Sequence, residues 1–479
     1  ASVILKDLAP FVPALSRFEE PLDLNLVFSG HGKHLDCPTL RLTNHHGLMI
    51  AGEAALSNWD AGMDMYIYGK LGNLTMTKEG INVLMTNLTG KVPPILQRLD
   101  YIRFNGEAAG YLHDLTLTGL FHTGAGMVKT DVMMSIDEQS MSRTYSGSVA
   151  SADLDLGKLL NQEKKFGKVD FNVELKGFNY KNRYPESYIK GIISSFEYSQ
   201  YQYESIMLDG VYKDGGFNGR LSMDDANGSV QIDGNFNVAK TIPDFNLKAS
   251  VKNLRPHDLH LSDKYENASI SLGLTADFTG KSIDDMNGRI SLDSLQLNPP
   301  AEGGCFLDNL TITAGQVSGE KELRINSSFM TAVIRGDYSY HTIPASVVKT
   351  VQRYIPSLLT IKDNMPEPHN NFQFDICLEN TEVLSKLFQI PLELYLPASL
   401  KGYFNDGEEK LHVEGHFPEF RYNGTRYDSG VLFCENPSDR FKCSLRGGML
   451  MKSGAMLNFS VEANAKNDHL ETTINWGIH

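Results

Sequence analysis

One short phrase recurs along this chain: an apolar residue, one polar residue, then glycine. It stands at Phe28-Ser29-Gly30, Phe104-Asn105-Gly106, Leu117-Thr118-Gly119 and Tyr145-Ser146-Gly147, and with a small middle residue at Ile50-Ala51-Gly52. Leu175-Lys176-Gly177, Leu208-Asp209-Gly210, Ile232-Asp233-Gly234, Ile334-Arg335-Gly336, Leu400-Lys401-Gly402 and Leu445-Arg446-Gly447 continue it. The residues before it alternate apolar and polar, so a strand closes on an inward side chain and the glycine is expected to open a turn. A chain of 479 residues built from one repeated strand-and-turn unit is an extended surface without a focus for chemistry. That points to carrying or scaffolding.

Period-two alternation dominates the rest of the pattern. Leu24, Leu26 and Phe28 share one face, with Leu40 and Leu42 following on the next run. Val132 and Met134, Phe171 and Val173, Leu247 and Val251, and Leu272 and Leu274 repeat the arrangement. Phe374 and Ile376, then Leu394, then Phe459 and Val461 carry it toward the end. Dipeptides such as Asn105-Gly106, Asp209-Gly210, Asn218-Gly219, Asn287-Gly288, Asp406-Gly407 and Asn423-Gly424 read as the turns between runs. One wet face and one apolar face is the antiparallel signature, so the expected fold is mostly β, a long twisted antiparallel-type sheet with a few short helices.

The clearest helix is expected over Pro344 to Thr360, where Val347, Val351, Ile355 and Leu358 form a stripe. Asn380 to Phe388 (with Thr381 as cap), Asp155 to Gln162 and Val92 to Leu99 are shorter ones. A looser repeat places a brief helical turn after Leu5-Lys6-Asp7-Leu8, Asp153-Leu154-Asp155-Leu156, Leu254 to Leu259 and Leu378 to Val383. The expected modules are 1–150, 151–252 and 253–343, then a helical connector at 344–369 with a proline-rich seam at Met365 to Pro368, then 370–479.

Roughly 25 to 30 strands at ~4.8 Å spacing would make a sheet on the order of 120 to 145 Å long. Its apolar face cannot lie bare and flat in water, because strands twist and exposed apolar surface is costly. Two outcomes satisfy this: closed sandwiches, or an open trough curled around an apolar interior. In the second, the eighteen alternating side chains named above would line the groove.

The formal net charge of −14 excludes a nucleic-acid partner, since phosphate binding needs a concentrated basic surface. No run approaches 18 uninterrupted apolar residues, so no transmembrane helix is expected in this chain, which reads as an internal piece of a longer protein. Five cysteines are too few and too scattered for a disulfide framework, although Cys434 and Cys443 could face each other across a hairpin.

Chemistry finds little support. His31, His34 and Cys37 have spacings that suit zinc, but a further ligand is not obvious and the segment reads as a polar hairpin turn, so no metal is expected. Gly280-Lys281-Ser282 echoes a phosphate loop without its first glycine or its strand-to-helix context. The acid pairs Asp224-Asp225, Asp284-Asp285 and Glu408-Glu409 sit beside turns, where exposed carboxylates are ordinary. Neither a Gly-x-Ser-x-Gly elbow nor a His-Glu-x-x-His helix is present. The expectation is a non-enzyme without cofactors.

From about Gly191 to Leu358 the wording becomes specific. Lys190-Gly191-Ile192-Ile193-Ser194-Ser195-Phe196-Glu197-Tyr198 leads to Ile206-Met207-Leu208-Asp209-Gly210 and Phe217-Asn218-Gly219-Arg220-Leu221-Ser222-Met223. Leu259-His260-Leu261-Ser262-Asp263 and Ala276-Asp277-Phe278-Thr279-Gly280 follow. This resembles the TamB proteins of Bacteroides-like bacteria, within the AsmA-like group of envelope proteins. Leu5-Lys6-Asp7-Leu8-Ala9-Pro10-Phe11-Val12-Pro13 is similar to a mid-chain phrase of the same family. The resemblance implies an elongated apolar β-groove (a β-taco) in the periplasm, anchored in the inner membrane by a helix outside this chain. It implies phospholipid acyl chains as partners, moved toward the outer membrane, and a barrel partner met through a region outside this chain. The alternative it implies is a scaffold for outer-membrane protein assembly. It carries no catalytic residue to transfer.

Overall fold

The structure is a computed structural model that describes residues 2–8, 16–19, 21–137, 139–140, 142–179, 186–263, 266–298, 304–357, 369–388 and 390–478. The chain is mostly strand, arranged as a long antiparallel sheet that does not close, with five short α-helices among the described residues. It divides into two compact units, Ala1–Asn235 with Pro256–Lys264, and Phe236–Arg255 with Tyr265–His479.

The first unit begins with β1 (Ser2–Ile4), β2 (Pro21–His31), β3 (His34–Thr43), β4 (Leu48–Ser57) and β5 (Tyr66–Thr77). It continues through β6 (Tyr101–Tyr111), β7 (Asp114–Thr123), β8 (Gly126–Asp137), β9 (Ser142–Ala152), β10 (Leu154–Asp155) and β11 (Phe166–Asn179). β12 (Glu186–Tyr198), β13 (Tyr201–Lys213), β14 (Gly216–Asp225) and most of β15 (Gly228–Asn237) complete it. The second unit holds β16 (Asp244–Leu254), β17 (Ser269–Thr279), β18 (Asn287–Asn298), β19 (Cys305–Val317), β20 (Glu320–Ser327) and β21 (Met330–Asp337). Then come β22 (Asn371–Leu378), β23 (Leu392–Leu394), β24 (Ala398–Asn405), β25 (Lys410–Tyr422), β26 (Thr425–Glu435), β27 (Phe441–Leu450), β28 (Met456–Lys466) and β29 (His469–Ile478).

Most strands pair with their chain neighbours through tight hairpins. Asn423 and Gly424 join β25 to β26 with φ of 48° and 78°, and Asn467 and Asp468 join β28 to β29 with φ of 50° and 61°. Two successive positive φ values match the right-handed strand twist, which is why these loops need only two residues.

The expectation that the repeated glycine opens a turn is corrected. Gly106, Gly119, Gly147, Gly177, Gly210, Gly219, Gly288 and Gly402 all lie in strands, so Asn105-Gly106, Asp209-Gly210, Asn218-Gly219 and Asn287-Gly288 are not turns. Two of them show why glycine is there. A Cβ on Gly402 would stand 2.9 Å from the Phe374 ring, which lies across it from the neighbouring strand. Gly147 has φ +142° and a Cβ there would collide with the Asp131 carbonyl of the paired strand.

Helices sit at strand ends. α1 (Lys78–Thr89), α2 (Pro94–Gln97) and α3 (Leu156–Leu160) close one rim of the first unit, where Ile81, Leu99, Ile102, Ala125, Leu154 and Val169 form a buried cluster. α1 was not expected from the sequence, although the Thr77 side chain caps it by accepting from the Gly80 amide and Gly90 ends it at φ 79°. In the second unit α5 (Glu382–Phe388) buries Val383 in a cluster with Ala268, Leu295, Leu297, Cys305, Leu307 and Phe329. At the other strand ends α4 (Ile343–Gln352) packs Ile343 and Val347 against the cluster of Leu323, Tyr338, Phe372, Phe404 and Leu411.

The looser repeat therefore marks structure. Leu5–Leu8 is a 3-10 turn, Asp155 caps α3 by accepting from the Lys158 amide, Leu259 is fully buried, and Leu378 to Val383 leads into α5. Thr381 precedes α5 as expected and its carbonyl accepts from the Ser385 amide at 2.7 Å, but its hydroxyl donates to β23, and the Asn380 side chain accepts from the Glu382 amide at 3.3 Å. α4 stops at Gln352, short of the expected Thr360, because Arg353 and Tyr354 turn ahead of Pro356, and Tyr354 and Ile355 bury themselves against Ala465. Leu358 and the seam at Met365 to Pro368 lie outside the described residues.

Candidate functional site

The paired register lets one side of each unit be followed strand by strand. In the first unit Leu26, Leu40, Gly52, Leu71, Gly106, Gly119, Thr130, Val149, Val173, Gly191, Leu208 and Leu221 are successive cross-strand partners from β2 to β14. No member carries a charge, and every one is half-buried. Shifted by one residue, the opposite face runs Glu53, Lys70, Glu107, Thr118, Asp131, Ser148, Glu174, Lys190, Asp209, Arg220. This is a ladder of charged and hydroxyl side chains, with Lys190 3.6 Å from Asp209 and Thr118 donating to Asp131 at 3.0 Å. The period-two rule sorts charge between the two faces, although Ile192 and Met207 stand exposed among the charged ladder.

The second unit repeats the arrangement. Leu247, Ala276, Ile290, Ile312, Ile325, Ala332 and Ile376 are successive partners, followed by Leu400, Gly415, Leu432, Leu445, Val461 and Ile474. Thirteen strands at ~4.8 Å give a row about 58 Å long. Only its small members, Ala276, Ala332 and Gly415, are buried; the large ones are half-buried, and Leu445 and Ile474 are 41% and 55% exposed. The buried clusters lie at the strand ends with the helices. Ile312, Ile325 and Phe374 pack against the cluster around Phe404, and the row's large side chains stay partly exposed.

The residues expected to line a groove fall as follows. Leu24 pairs with Leu42 and Leu26 with Leu40, all half-buried on one face. Val132 pairs with Leu117 on that face, Phe171 and Val173 follow it, and Met134 is exposed toward the strand end. Leu247, Val251, Leu272, Leu274, Phe374, Ile376, Phe459 and Val461 lie on the apolar face of the second unit, with Val251 opposite Leu272. Two residues stand apart. Phe28 lies where two residues of β3, Cys37 and Pro38, oppose one of β2, so it has no direct cross-strand partner, and it is 63% exposed. Leu394 belongs to β23, which leaves the row to pair with β25. Sequence periodicity did not single out Ile290, Ile312, Ile325 and Leu432; their register with the named residues is what assigns them.

Phe374 on β22 shows how local chemistry shapes this face. Its ring can lie over Gly402 because glycine offers no side chain there, and Phe372 meets Phe404 at 5.9 Å between ring centres. Cys434 and Cys443, direct partners across the β26–β27 hairpin, form a disulfide on the same face. Cys37 and Cys305 are buried free thiols, and burial pushes the Cys305 thiol above its ordinary range. A charged cluster with buried character is on the polar side: Glu322 lies between Arg335 at 2.5 Å and Arg324 at 3.0 Å, and bonding to Arg335 above all holds its carboxyl below the ordinary value.

The motifs weighed for chemistry resolve as turn construction. Asp285 accepts from the Lys281 and Ser282 amides at 2.9 and 2.6 Å and is held near about 2 by those bonds, the Ser282 hydroxyl foremost; its own carboxylate thus occupies the amides a phosphate would need. Asp225 accepts from Tyr201 at 2.6 Å, and desolvation, then that bond, raises the Tyr201 phenol to about 12. His31 and His34 face each other across the β2–β3 turn, His34 bonds Ser57 at 2.7 Å, and the Cys37 thiol donates to the Thr39 carbonyl. Among the described residues no group of three or more His, Cys, Asp or Glu is placed to hold a metal ion, and no helix is long and apolar enough to cross a membrane.

Comparison with family models, with curated proteins and with solved structures gives no match for this chain.

Proposed function

We propose that this chain is a periplasmic segment of a TamB-like envelope protein and that its open apolar face carries phospholipid acyl chains between membranes, without catalysis. One observation supports this reading above the others: in both units a row of uncharged residues, its large side chains incompletely buried, continues in register through twelve or more strands. Acyl chains in water cost about 0.8 kcal/mol per CH2, and such a face removes much of that cost. Neighbouring positions in the row are chemically near-equivalent, so a chain lying across them can slide without meeting a deep well or a charge. The Cys434–Cys443 disulfide favours an oxidising compartment, as the periplasm is.

The test is to produce this chain in a bacterial periplasm and identify co-purified lipid by native mass spectrometry, with Leu272→Asp and Phe374→Asp alongside. Lipid bound to the wild type and lost from folded variants is the expected result. A lipid-free wild type whose variants unfold would mean closed cores and would leave an assembly scaffold as the better reading.

A further inference from the structure

The second unit holds a cavity of about 1070 Å³ beside the apolar face. Chain path creates it. β22 pairs directly with β24, so the segment between them is set aside: α5 lies at the strand ends, and β23 pairs with β25. The Thr381 hydroxyl donates to the Leu392 carbonyl at 2.7 Å and accepts from the Leu394 amide at 3.0 Å, which pins β23 to the start of α5. Part of the lining is apolar, from Ala268, Leu297, Leu392 and Leu394. Leu297 is 2% exposed and its cluster packs against Ile270, Leu272 and Leu292, so the cavity adjoins the apolar face.

Charges of both signs also line it. Lys386 donates to Glu382 at 2.9 Å and to the Gly304 carbonyl at 3.2 Å; Arg421 donates to the Tyr395 hydroxyl at 2.5 Å and lies 3.5 Å from Glu393. With Glu266, three carboxylates and two cations surround the space. A purely anionic group would meet net repulsion there, and an uncharged group would desolvate the charges without replacing their water. A group carrying both signs on an apolar stem avoids both costs.

We propose that this cavity receives the zwitterionic headgroup of a phospholipid, its phosphate toward Lys386 and Arg421, its ammonium toward Glu266 and Glu393, and its first acyl carbons on Ile390 and Leu392. The proposal rests on the reading that the apolar face carries acyl chains. It is tested by titrating the full chain with dihexanoyl phosphatidylethanolamine, dihexanoyl phosphatidylglycerol and free phosphorylethanolamine, while long-chain lipid is followed separately by native mass spectrometry. The wild type is expected to bind the ethanolamine lipid at least about tenfold more tightly than the glycerol lipid. The Lys386→Gln/Arg421→Gln pair should weaken it by a similar factor, and Glu393→Gln should shift preference toward the glycerol lipid, which decides the matter should the double variant fail to fold. Equal binding of the two lipids, or a preference unchanged by these substitutions, overturns the headgroup site. Free phosphorylethanolamine binding as tightly as the lipid overturns it too, in favour of a site for small phosphate compounds. Long-chain lipid retained alongside such a failure leaves the acyl-carrying reading standing; its absence from the wild type overturns both.

Discussion

Leu445 and Phe404 offer a quantitative contrast between an open face and a closed core. Phe404 is 1% exposed within the cluster at the strand ends, so Phe404→Ala removes a fully packed ring and leaves a cavity, at a cost of about 3–5 kcal/mol. Leu445 stands in the registered row but is 41% exposed, so folding takes only about three-fifths of it out of water. Full burial of a leucine is worth about 1.5–3 kcal/mol, which scales to about 1–2 kcal/mol for Leu445→Ala, with no added cavity term because the space opens to solvent. Urea unfolding of the wild type and both variants measures the difference, provided the slope with denaturant is unchanged. Leu445→Asp extends the comparison: the fold should survive with a loss near that of the alanine variant, while lipid co-purification falls. If Leu445→Ala costs as much as Phe404→Ala, a covering layer lies over the row, and the argument from an open apolar face is refuted.

Gly147→Ala should destabilise the first unit by about 1–3 kcal/mol, because its φ of +142° and the Asp131 carbonyl leave no room for a Cβ; a melting temperature equal to the wild type would show that the backbone relaxes freely. Glu322→Gln should cost about 2 kcal/mol at neutral pH by removing the charge that pairs Arg324 with Arg335. Because the folded carboxyl is depressed below its ordinary 4.5, its contribution is complete above that pH and fades as pH falls through the lower folded value. Stability measured from pH 7 to pH 3 should therefore fall more steeply in the wild type than in Glu322→Gln, and parallel curves would contradict this.

Strand existence and facing were readable in the sequence because a half-exposed antiparallel sheet writes its two solvents into alternate residues. Leu24, Leu26, Val173, Leu272, Phe374 and Val461 stand on the apolar face for that reason. What failed was anything decided between strands. Asp-Gly is a turn dipeptide locally, yet Gly210 accommodates the Phe217 ring from the neighbouring strand, a cross-strand fact with no local signature. The irregularity that turns Phe28 outward and the detour that takes Leu394 out of the row are likewise set by pairing. α1 is a different case. Thr77, the spacing of Ile81, Leu84 and Met85, and Gly90 were all present, but strong strand signals on both sides masked them. The cavity beside α5 depends on which strands skip a partner, so composition and spacing carry no trace of it.

Because nearly every strand bonds only to those beside it in the chain, each unit behaves as a one-dimensional array in which stability is a sum of neighbour terms. Closing most steps needs only a hairpin, so the loop entropy is smaller than for a Greek-key sheet of equal size. Melting in such an array starts at an edge and travels inward, and a damaged strand weakens its two neighbours without dissolving the distant ones. Inserting or removing one hairpin restores strand direction and leaves both faces in phase. The reach of the apolar face can thus lengthen or shorten in steps of two strands, about 10 Å at a time, at little cost to the rest.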